Sequence, residues 1–154
     1  MNTQKSISIL NSLVEINNDR IQGYEKAITE TTDNDLKELF EEFGQSSKKC
    51  WKELVEEIGN MDGEPVDDTT ISGKFYRLWM DVKAAITNRD RKAILNSCEY
   101  GEDAALETYN SVLTNQIDFL TIEQHKMIYK QYVLLKADHN KLQELRDALV
   151  EDFN

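Results

Sequence analysis

The chain contains 154 residues, of which 40% are hydrophobic and 31% are charged, and its 29 acidic and 18 basic residues give a net charge of −11. This length predicts a single domain spanning 1–154, and the apolar fraction excludes wholesale disorder. Six glycines and one proline are too few turn residues for a fold of many short strands. The negative charge repels phosphate groups and anionic lipid headgroups, so we expect neither a nucleic-acid partner nor a membrane partner.

We expect no targeting signal at the start of the chain. Residues 1–10 contain a short apolar patch interrupted by Ser8, which is neither a signal peptide nor a membrane span. The two cysteines, Cys50 and Cys98, form no CxxC motif and fall on core positions of predicted helices, where a free thiol behaves as a small hydrophobe. A redox or ligand role for them is the less common alternative. We therefore expect a cytoplasmic protein.

Apolar residues recur every three or four positions along the chain, which predicts amphipathic helices. The first stripe consists of Ile7, Leu10, Val14, Asn17, Ile21, Tyr24 and Ile28. The predicted helices span 4–30, 33–59, 72–87, 90–114 and 121–150. The run 31–35 supplies cap residues and first-turn acids for the second helix, Ser72 is a candidate N-cap, and Thr121 with Gln124 forms a capping box. The acidic segment 60–71 lacks the spacing of a calcium-binding EF-hand loop, so we interpret it as a solvated connection.

The lengths of these helices favour one arrangement. Four helices of about 25 to 30 residues, each with one apolar stripe, are typical of a four-helix bundle. A short connection joins the first two helices, whereas residues 60–89 are long enough to cross the length of the bundle and include a short extra helix. This predicts an all-α, up-down-down-up bundle of the ferritin-like kind, with the 72–87 helix in the crossover.

Segments spread over almost the whole chain carry a resemblance to a known family. They are EINNDRIQGYEKA at 15–27, SGKFYRLWMDVKAA at 72–85, DRKAIL at 90–95, GEDAA at 101–105, and ADHNKL at 137–142 with Arg146 and Asp147. The chain resembles the small bacterial ferritin-like four-helix-bundle proteins that constitute a domain of unknown function. The resemblance implies the fold and no particular reaction. The broader ferritin-like group often carries a two-metal carboxylate centre, and other small ferritin-like proteins are stress-related.

The sequence lacks the ligands of a standard two-metal centre. Such a centre needs a Glu from each of two helices and a Glu-x-x-His pair from each of the other two. The two histidines, His125 and His139, both fall in the last helix and lie about 21 Å apart along its axis. Lys136 stands three residues before His139, where a ligand Glu would be required. We therefore expect no dinuclear centre.

A reduced metal site is the remaining possibility for a cofactor. Aligning the helix midpoints brings His139 near the level of Glu25, Glu42 and Glu99, with Glu102 a turn away, and such ligands suit one Fe, Mn or Zn ion. The alternative interpretation is that His139 is a hydrogen-bonded core residue and that Lys136 neutralises the nearby carboxylates. We favour this alternative and expect no cofactor.

Asn17 interrupts the first apolar stripe. The predicted hairpin pairs it with Ser46 and Ser47, and a polar layer of this kind commonly fixes helix register. A ligand pocket lined by Asn17, Asn18 and Ser47 is the functional alternative.

The aromatic residues of the short helix, Phe75, Tyr76 and Trp79, either pack over the bundle or form a homodimer surface. The sequence as a whole predicts a non-catalytic, stress-related structural or binding protein that acts through association as a homodimer. The alternative function is a metal-binding or iron-handling protein that uses the reduced Glu/His site.

Overall fold

A computed structural model describes residues 2–66 and 73–152. Within these ranges the protein is all-α, with five α-helices, one short 3₁₀ turn and no strand. The helices are α1 (Thr3–Glu30), α2 (Asn34–Asn60), α3 (Gly73–Thr87), α4 (Arg91–Asn115) and α5 (Ile122–Asp152), and the 3₁₀ turn is Ile117–Phe119. The predicted helix ranges differ from the observed ones by no more than two residues at either end.

Side-chain caps fix where α1, α2, α4 and α5 begin, and those of α2 and α5 bear on the predictions. The Asp33 carboxylate accepts hydrogen bonds from two backbone N–H groups in the first turn of α2. At the start of α5, Thr121 and Gln124 exchange hydrogen bonds of 3.0 Å between each side chain and the other residue's backbone N–H. The predicted capping box is therefore confirmed. The other predicted cap, Ser72, lies outside the described residues.

The connection that follows α2 is attached to α1. The Asn11 amide donates to the Glu64 carbonyl at 3.0 Å and accepts from the Val66 backbone N–H at 2.9 Å. A Cβ atom on Gly63 would lie 2.9 Å from Cδ1 of Ile7, so the absence of a side chain allows this close approach. The start of this connection is thus held against α1, and 67–72 lie outside the described residues.

The buried apolar side chains form two clusters. Cluster 1 draws on 24–27 of α1, 36–43 of α2, 79–86 of α3, 94–98 of α4 and Leu142 of α5. Cluster 2 draws on 9–14 of α1, 50–58 of α2, 106–112 of α4, Leu120, and 128–135 of α5. Following the chain through these clusters, α1 and α5 run from cluster 2 to cluster 1, whereas α2 and α4 run the opposite way.

The contacts between helices connect the four long helices in a ring. α1 packs on α2, α4 packs on α5, and contacts between α1 and α4 and between α2 and α5 close the ring. The short helix α3 lies against α1 and α4. None of the described helices combines the length and the apolar character that a bilayer-spanning segment needs.

The buried face of α1 is wider than its predicted stripe. Of that stripe, Leu10, Val14, Asn17 and Tyr24 are buried, and the remaining isoleucines are half-buried. Leu13 and Arg20, which lie beside the stripe, are buried as well. Because α1 contacts α2, α3 and α4 together, residues on more than one side of the helix leave solvent.

Candidate functional site

Each of the four long helices has a buried polar residue between the segment that packs in cluster 1 and the segment that packs in cluster 2. These residues, together with the tyrosine one turn from the first of them, are named the central charge layer: Arg20, Tyr24, Ser47, Glu102 and Asp138. All five are buried. The layer contains one guanidinium and two carboxylates, and it lies between the two apolar clusters.

The Arg20 guanidinium connects all four helices of the layer. Its Nε and Nη2 atoms donate to Oε1 of Glu102 at 3.1 and 2.9 Å, and Nη2 also donates to Oδ2 of Asp138 at 3.3 Å. Nη1 donates to the Ser47 hydroxyl, and the Tyr24 hydroxyl donates to the same Glu102 oxygen. Arg20 is 3% exposed and Glu102 is 1% exposed, so these bonds are screened little by solvent.

The pKa values of this layer reflect burial and charge pairing. Burial lowers the pKa of the Arg20 guanidinium, but the attraction of Glu102, supported by Asp138, more than offsets this, so its pKa is raised. Burial also raises the pKa of Asp138, and the charge of Arg20 opposes that rise. Burial and the Glu102 charge raise the pKa of the Tyr24 hydroxyl well above its usual value. Arg20 therefore carries the positive charge of the layer throughout the physiological range.

Sequence reasoning missed Arg20 and assigned the neutralising charge to Lys136. That assignment is wrong, because Lys136 is exposed and Arg20 is the cation between the carboxylates. Arg20 precedes Tyr24 by four residues and so lies on the same face of α1. That spacing was the available signal, but a long charged side chain next to a stripe is usually solvated.

A second network lies beside cluster 2 and is named the neutral network after its three uncharged side chains, Asn17, Tyr109 and Gln131, with Glu53 at its outer end. Asn17 Nδ2 donates to the Tyr109 hydroxyl at 2.7 Å, and that hydroxyl donates to Gln131 Oε1 at 2.7 Å. Gln131 Nε2 then donates to Glu53 at 3.1 Å, where the network approaches solvent. Asn17 also donates to the Leu13 carbonyl, and its Oδ1 has no hydrogen-bond partner among the described residues.

The expected pairing of Asn17 with Ser46 and Ser47 is wrong by about one helical turn. Ser47 accepts a hydrogen bond from Arg20, and the Tyr24 ring packs edge-on against Phe43, which sets the register of the α1–α2 hairpin. Asn17 therefore meets Tyr109 of α4 instead. Asn17 nevertheless belongs to a buried polar network.

Both cysteines are free and buried, as the sequence predicts for core thiols. Burial raises the pKa of the Cys98 thiol to about 12, and the Glu102 charge contributes. Burial likewise raises the pKa of the Cys50 thiol to about 12, although Arg20 opposes the rise. Both groups are therefore protonated at neutral pH and are poor nucleophiles.

One group of possible metal ligands lies beside the central charge layer and is named the carboxylate–histidine cluster: Glu99, Asp103 and His139. Their ligand atoms lie within 4.8 Å of one another, and His139 Nε2 lies 2.6 Å from Asp103 Oδ1. Arg146 contacts the Glu99 carboxylate. His139 is 4% exposed and its Nδ1 has no partner among the described residues, whereas Asp103 is exposed.

The structure brings two of the five candidate ligands together. Glu99 and His139 belong to the carboxylate–histidine cluster. Glu102 is bound to Arg20 instead, while Glu25 and Glu42 are exposed and form ion pairs with Lys48 and Lys141. Asp103 was missed, although it lies four residues from Glu99 and therefore on the same face of α4.

The described residues do not fit a two-metal centre of the kind that the ferritin-like resemblance implies. Each of four helices would have to direct a carboxylate or a Glu-x-x-His pair inward at mid-height. α1 and α2 instead contribute Arg20 and Ser47, and Glu102 Oε1 already accepts three hydrogen bonds. The Arg20 guanidinium already supplies the positive charge next to Glu102 and Asp138 that a metal ion would otherwise supply.

A small cleft of about 60 Å³, open to solvent on one side, lies between α1, α3 and α4 and is named the α3 cleft. Its walls are mainly apolar and include Leu78, Trp79 and Val82 of α3. Arg20, Tyr24 and Glu102 also line it, so the cleft leads from the surface to the central charge layer.

The aromatic residues of α3 are divided between core and surface. Trp79 is buried in cluster 1, whereas Tyr76 is 52% exposed and Met80, one turn further on, is 45% exposed. The side chain of Phe75 lies outside the described residues. Packing over the bundle is therefore confirmed for Trp79, while the homodimer surface stays a prediction for Tyr76.

The fold and the site define an all-α protein whose buried core is crossed by a four-helix charge layer. The chain belongs to the family described as Domain of unknown function (DUF2383), whose family model matches residues 5–115. The matched part contains Arg20, Ser47 and Glu102 and ends before α5, which supplies Asp138 and His139. No curated protein matches the chain.

Proposed function

We propose that the protein is a ferritin-like four-helix bundle that acts without catalysis, by association, as a stress-related cytoplasmic structural or binding protein. The up-down-down-up arrangement is supported by the opposite directions in which α1 and α5, and α2 and α4, pass between the two clusters. α3 would then lie in the long crossover. The stress-related role comes from the resemblance to small ferritin-like proteins.

The observation that carries this proposal is the position of Arg20 between Glu102 and Asp138. The core groups that could hold a pair of metal ions are bound to a resident cation, and that cation also reaches Ser47 of α2. Such a layer fixes the register of four helices, as buried polar groups do in other bundles. Because the core groups are occupied in this way, we expect the outer surface of the protein to make its functional contacts.

The surface we assign to self-association is the outer face of α3 around Tyr76 and Met80. These apolar side chains are exposed one turn apart on a helix whose opposite face packs into cluster 1. An exposed amphipathic helix of this kind is suited to the self-complementary contact of a two-fold dimer.

Sedimentation velocity across a concentration series tests this assignment. We expect a dimer for the native protein and a monomer for a Tyr76→Glu, Met80→Glu double variant. Tyr129→Glu, which alters an equally exposed tyrosine on α5, is the control and should remain dimeric. A native protein that stays monomeric at high concentration would contradict the proposal, as would a double variant that dimerises unchanged.

The carboxylate–histidine cluster favours a second candidate function, the handling of one divalent Fe, Mn or Zn ion. One imidazole and two carboxylates are a plausible ligand set for such an ion. The obstacle is Arg146, which contacts Glu99 and competes for that carboxylate. A metal ion would have to displace Arg146 before all three side chains could bind it.

Titration calorimetry with ZnCl₂, MnCl₂ and Fe(II) distinguishes the two candidates. If the cluster binds metal, His139→Ala should abolish binding, His125→Ala should leave it unchanged, and Arg146→Ala should strengthen it. If the association proposal is right, the three variants should be indistinguishable from the native protein in metal binding. Elemental analysis of protein purified without a histidine tag provides the independent check.

A further inference from the structure

The outer face of α5 exposes apolar side chains that no described helix covers. Ile128 and Leu135 lie on the inner face of the helix and pack in cluster 2. On the opposite side, Ile122 is 74% exposed, Tyr129 is 55% exposed and Val133 is 49% exposed. Single exposed apolar residues are normal on a protein surface, whereas several on one face of a helix mark a surface suited to a partner.

The exposed residues on this face follow the spacing of a coiled-coil contact. Successive members are separated by four, three, four and three residues, and together they are named the outer α5 seam: Ile122, Lys126, Tyr129, Val133 and Lys136. Positions that alternate in this way lie along one side of a helix and meet a second helix laid beside it. The seam therefore suits a helical partner.

The charge of the outer α5 seam is opposite to that of the protein as a whole. Residues 124–137 contain three lysines and no acidic residue, in a chain whose net charge is −11. Lys126, Lys130 and Lys136 are exposed, and none of them forms an ion pair within the described ranges, whereas exposed lysines on α2 and α3 pair with carboxylates. A partner with carboxylates beside its apolar stripe would be complementary to this surface.

An acidic helix suits this surface better than an anionic membrane does. A bilayer is extended, so its headgroups would face much of the acidic protein surface and would be repelled by the net charge of −11. A single helix would lie along α5 alone. Carboxylates farther from it than a Debye length, about 8 Å at physiological salt, would be largely screened.

We propose that the outer α5 seam is a docking surface for an amphipathic helix of another protein, one whose apolar stripe is flanked by aspartates or glutamates. The apolar side chains of the seam pack against that stripe, and its lysines pair with the flanking carboxylates. The seam shares no residue with the outer face of α3, so this partner does not depend on self-association. It also uses no residue of the carboxylate–histidine cluster.

Fluorescence anisotropy with a labelled designed peptide tests the proposal. The peptide contains three heptads with Leu at positions a and d and Glu at positions e and g, where like charges keep it from pairing with itself. The matched probe has the same composition in scrambled order and therefore the same charge without the stripe. We expect saturable binding of the first peptide, about tenfold or more tighter than that of the scrambled peptide, and weaker at high salt.

Three variants locate the bound peptide. Lys126→Glu combined with Lys130→Glu should weaken binding about tenfold or more. Lys26→Glu combined with Lys92→Glu makes the same change in net charge at exposed positions of α1 and α4, and should leave binding unchanged. Tyr129→Glu should abolish peptide binding without changing the sedimentation behaviour of the protein. Peptide binding and self-association can therefore fail independently.

Several results would overturn the proposal. Absence of saturable binding, or equal affinities for the ordered and scrambled peptides, would show that the seam does not recognise an amphipathic helix. Equal weakening by the two lysine double variants would reduce the effect to net charge. Binding to phosphatidylglycerol vesicles without binding to the peptide would make the seam a membrane contact, and loss of a dimer in Tyr129→Glu would assign it to a second copy of the chain.

Discussion

The two polar networks of the core draw on the same four long helices. They differ in which groups would remain buried without a partner if one of their side chains were replaced. In the central charge layer, Arg20 is the one cation among the described residues that faces Glu102 and Asp138, and all three are almost fully buried. In the neutral network, Tyr109 links Asn17 to Gln131 through uncharged hydrogen bonds, and Glu53 connects that chain to solvent. The loss of one partner strands buried charges in the first network and only dipoles in the second.

The largest expected effect follows from Arg20→Leu. This change leaves two buried carboxylates without their cation and should lower the free energy of unfolding by about 3–5 kcal/mol. Arg91→Leu is the matched control, because Arg91 is half-buried and pairs with one carboxylate, Asp33, at 2.7 Å. Urea denaturation at pH 7 measures both variants. If both arginine variants lost the same small amount of unfolding free energy, the central charge layer would contribute no more to stability than a half-buried ion pair.

Tyr109→Phe should have an intermediate effect. It removes a hydroxyl that accepts from Asn17 and donates to Gln131, with little change in volume. The two amide groups remain buried with fewer partners, so a loss of about 1–3 kcal/mol is expected from urea denaturation. A loss as large as that of Arg20→Leu would contradict the distinction between the networks.

Asn17→Leu should have a smaller effect, within about 1 kcal/mol of the native protein and of either sign. The change deletes an amide whose Oδ1 is unpartnered, but it also removes the donor to Tyr109. We expect the variant to keep its fold and its helical circular dichroism. Collapse of the fold would mean that Asn17 contributes more than its hydrogen bonds indicate.

The smallest effect concerns the pH dependence of stability. Because burial raises the pKa of Asp138 above its unfolded value of 3.8, ionisation of Asp138 opposes folding. Its contribution to stability is fully present below that unfolded value and is lost as the pH rises through the folded pKa. Unfolding experiments from pH 3 upward should therefore show that Asp138→Asn lacks this decline. An identical pH profile for the variant would contradict the raised pKa.

The helices could be predicted from the sequence because periodicity and caps are local features. The alternation of apolar residues around Leu10 and Val14, and the capping box at Thr121, act within one helix. The central charge layer could not be predicted in the same way. Arg20 and Asp138 lie on different helices. The apolar pattern of α1 alone does not show whether a charged side chain beside the stripe, such as Arg20, points to solvent or to the other three long helices.

The candidate metal ligands illustrate the same limit. Matching helix midpoints placed Glu99 correctly beside His139, because both positions follow from the level along the bundle axis. It did not separate Glu102, which is buried, from Glu25 and Glu42, which are exposed, because level along the axis carries no information about rotation around it.

The charge balance of the central charge layer is tested most directly by replacing all three of its charged side chains with leucine. The free energy of unfolding should be measured for Arg20→Leu and for the triple variant Arg20→Leu, Glu102→Leu, Asp138→Leu, side by side at pH 7. If Arg20 serves to neutralise these two carboxylates, the triple variant should recover most of the stability that the single variant loses. A triple variant that is as unstable as Arg20→Leu, or more so, would contradict this account.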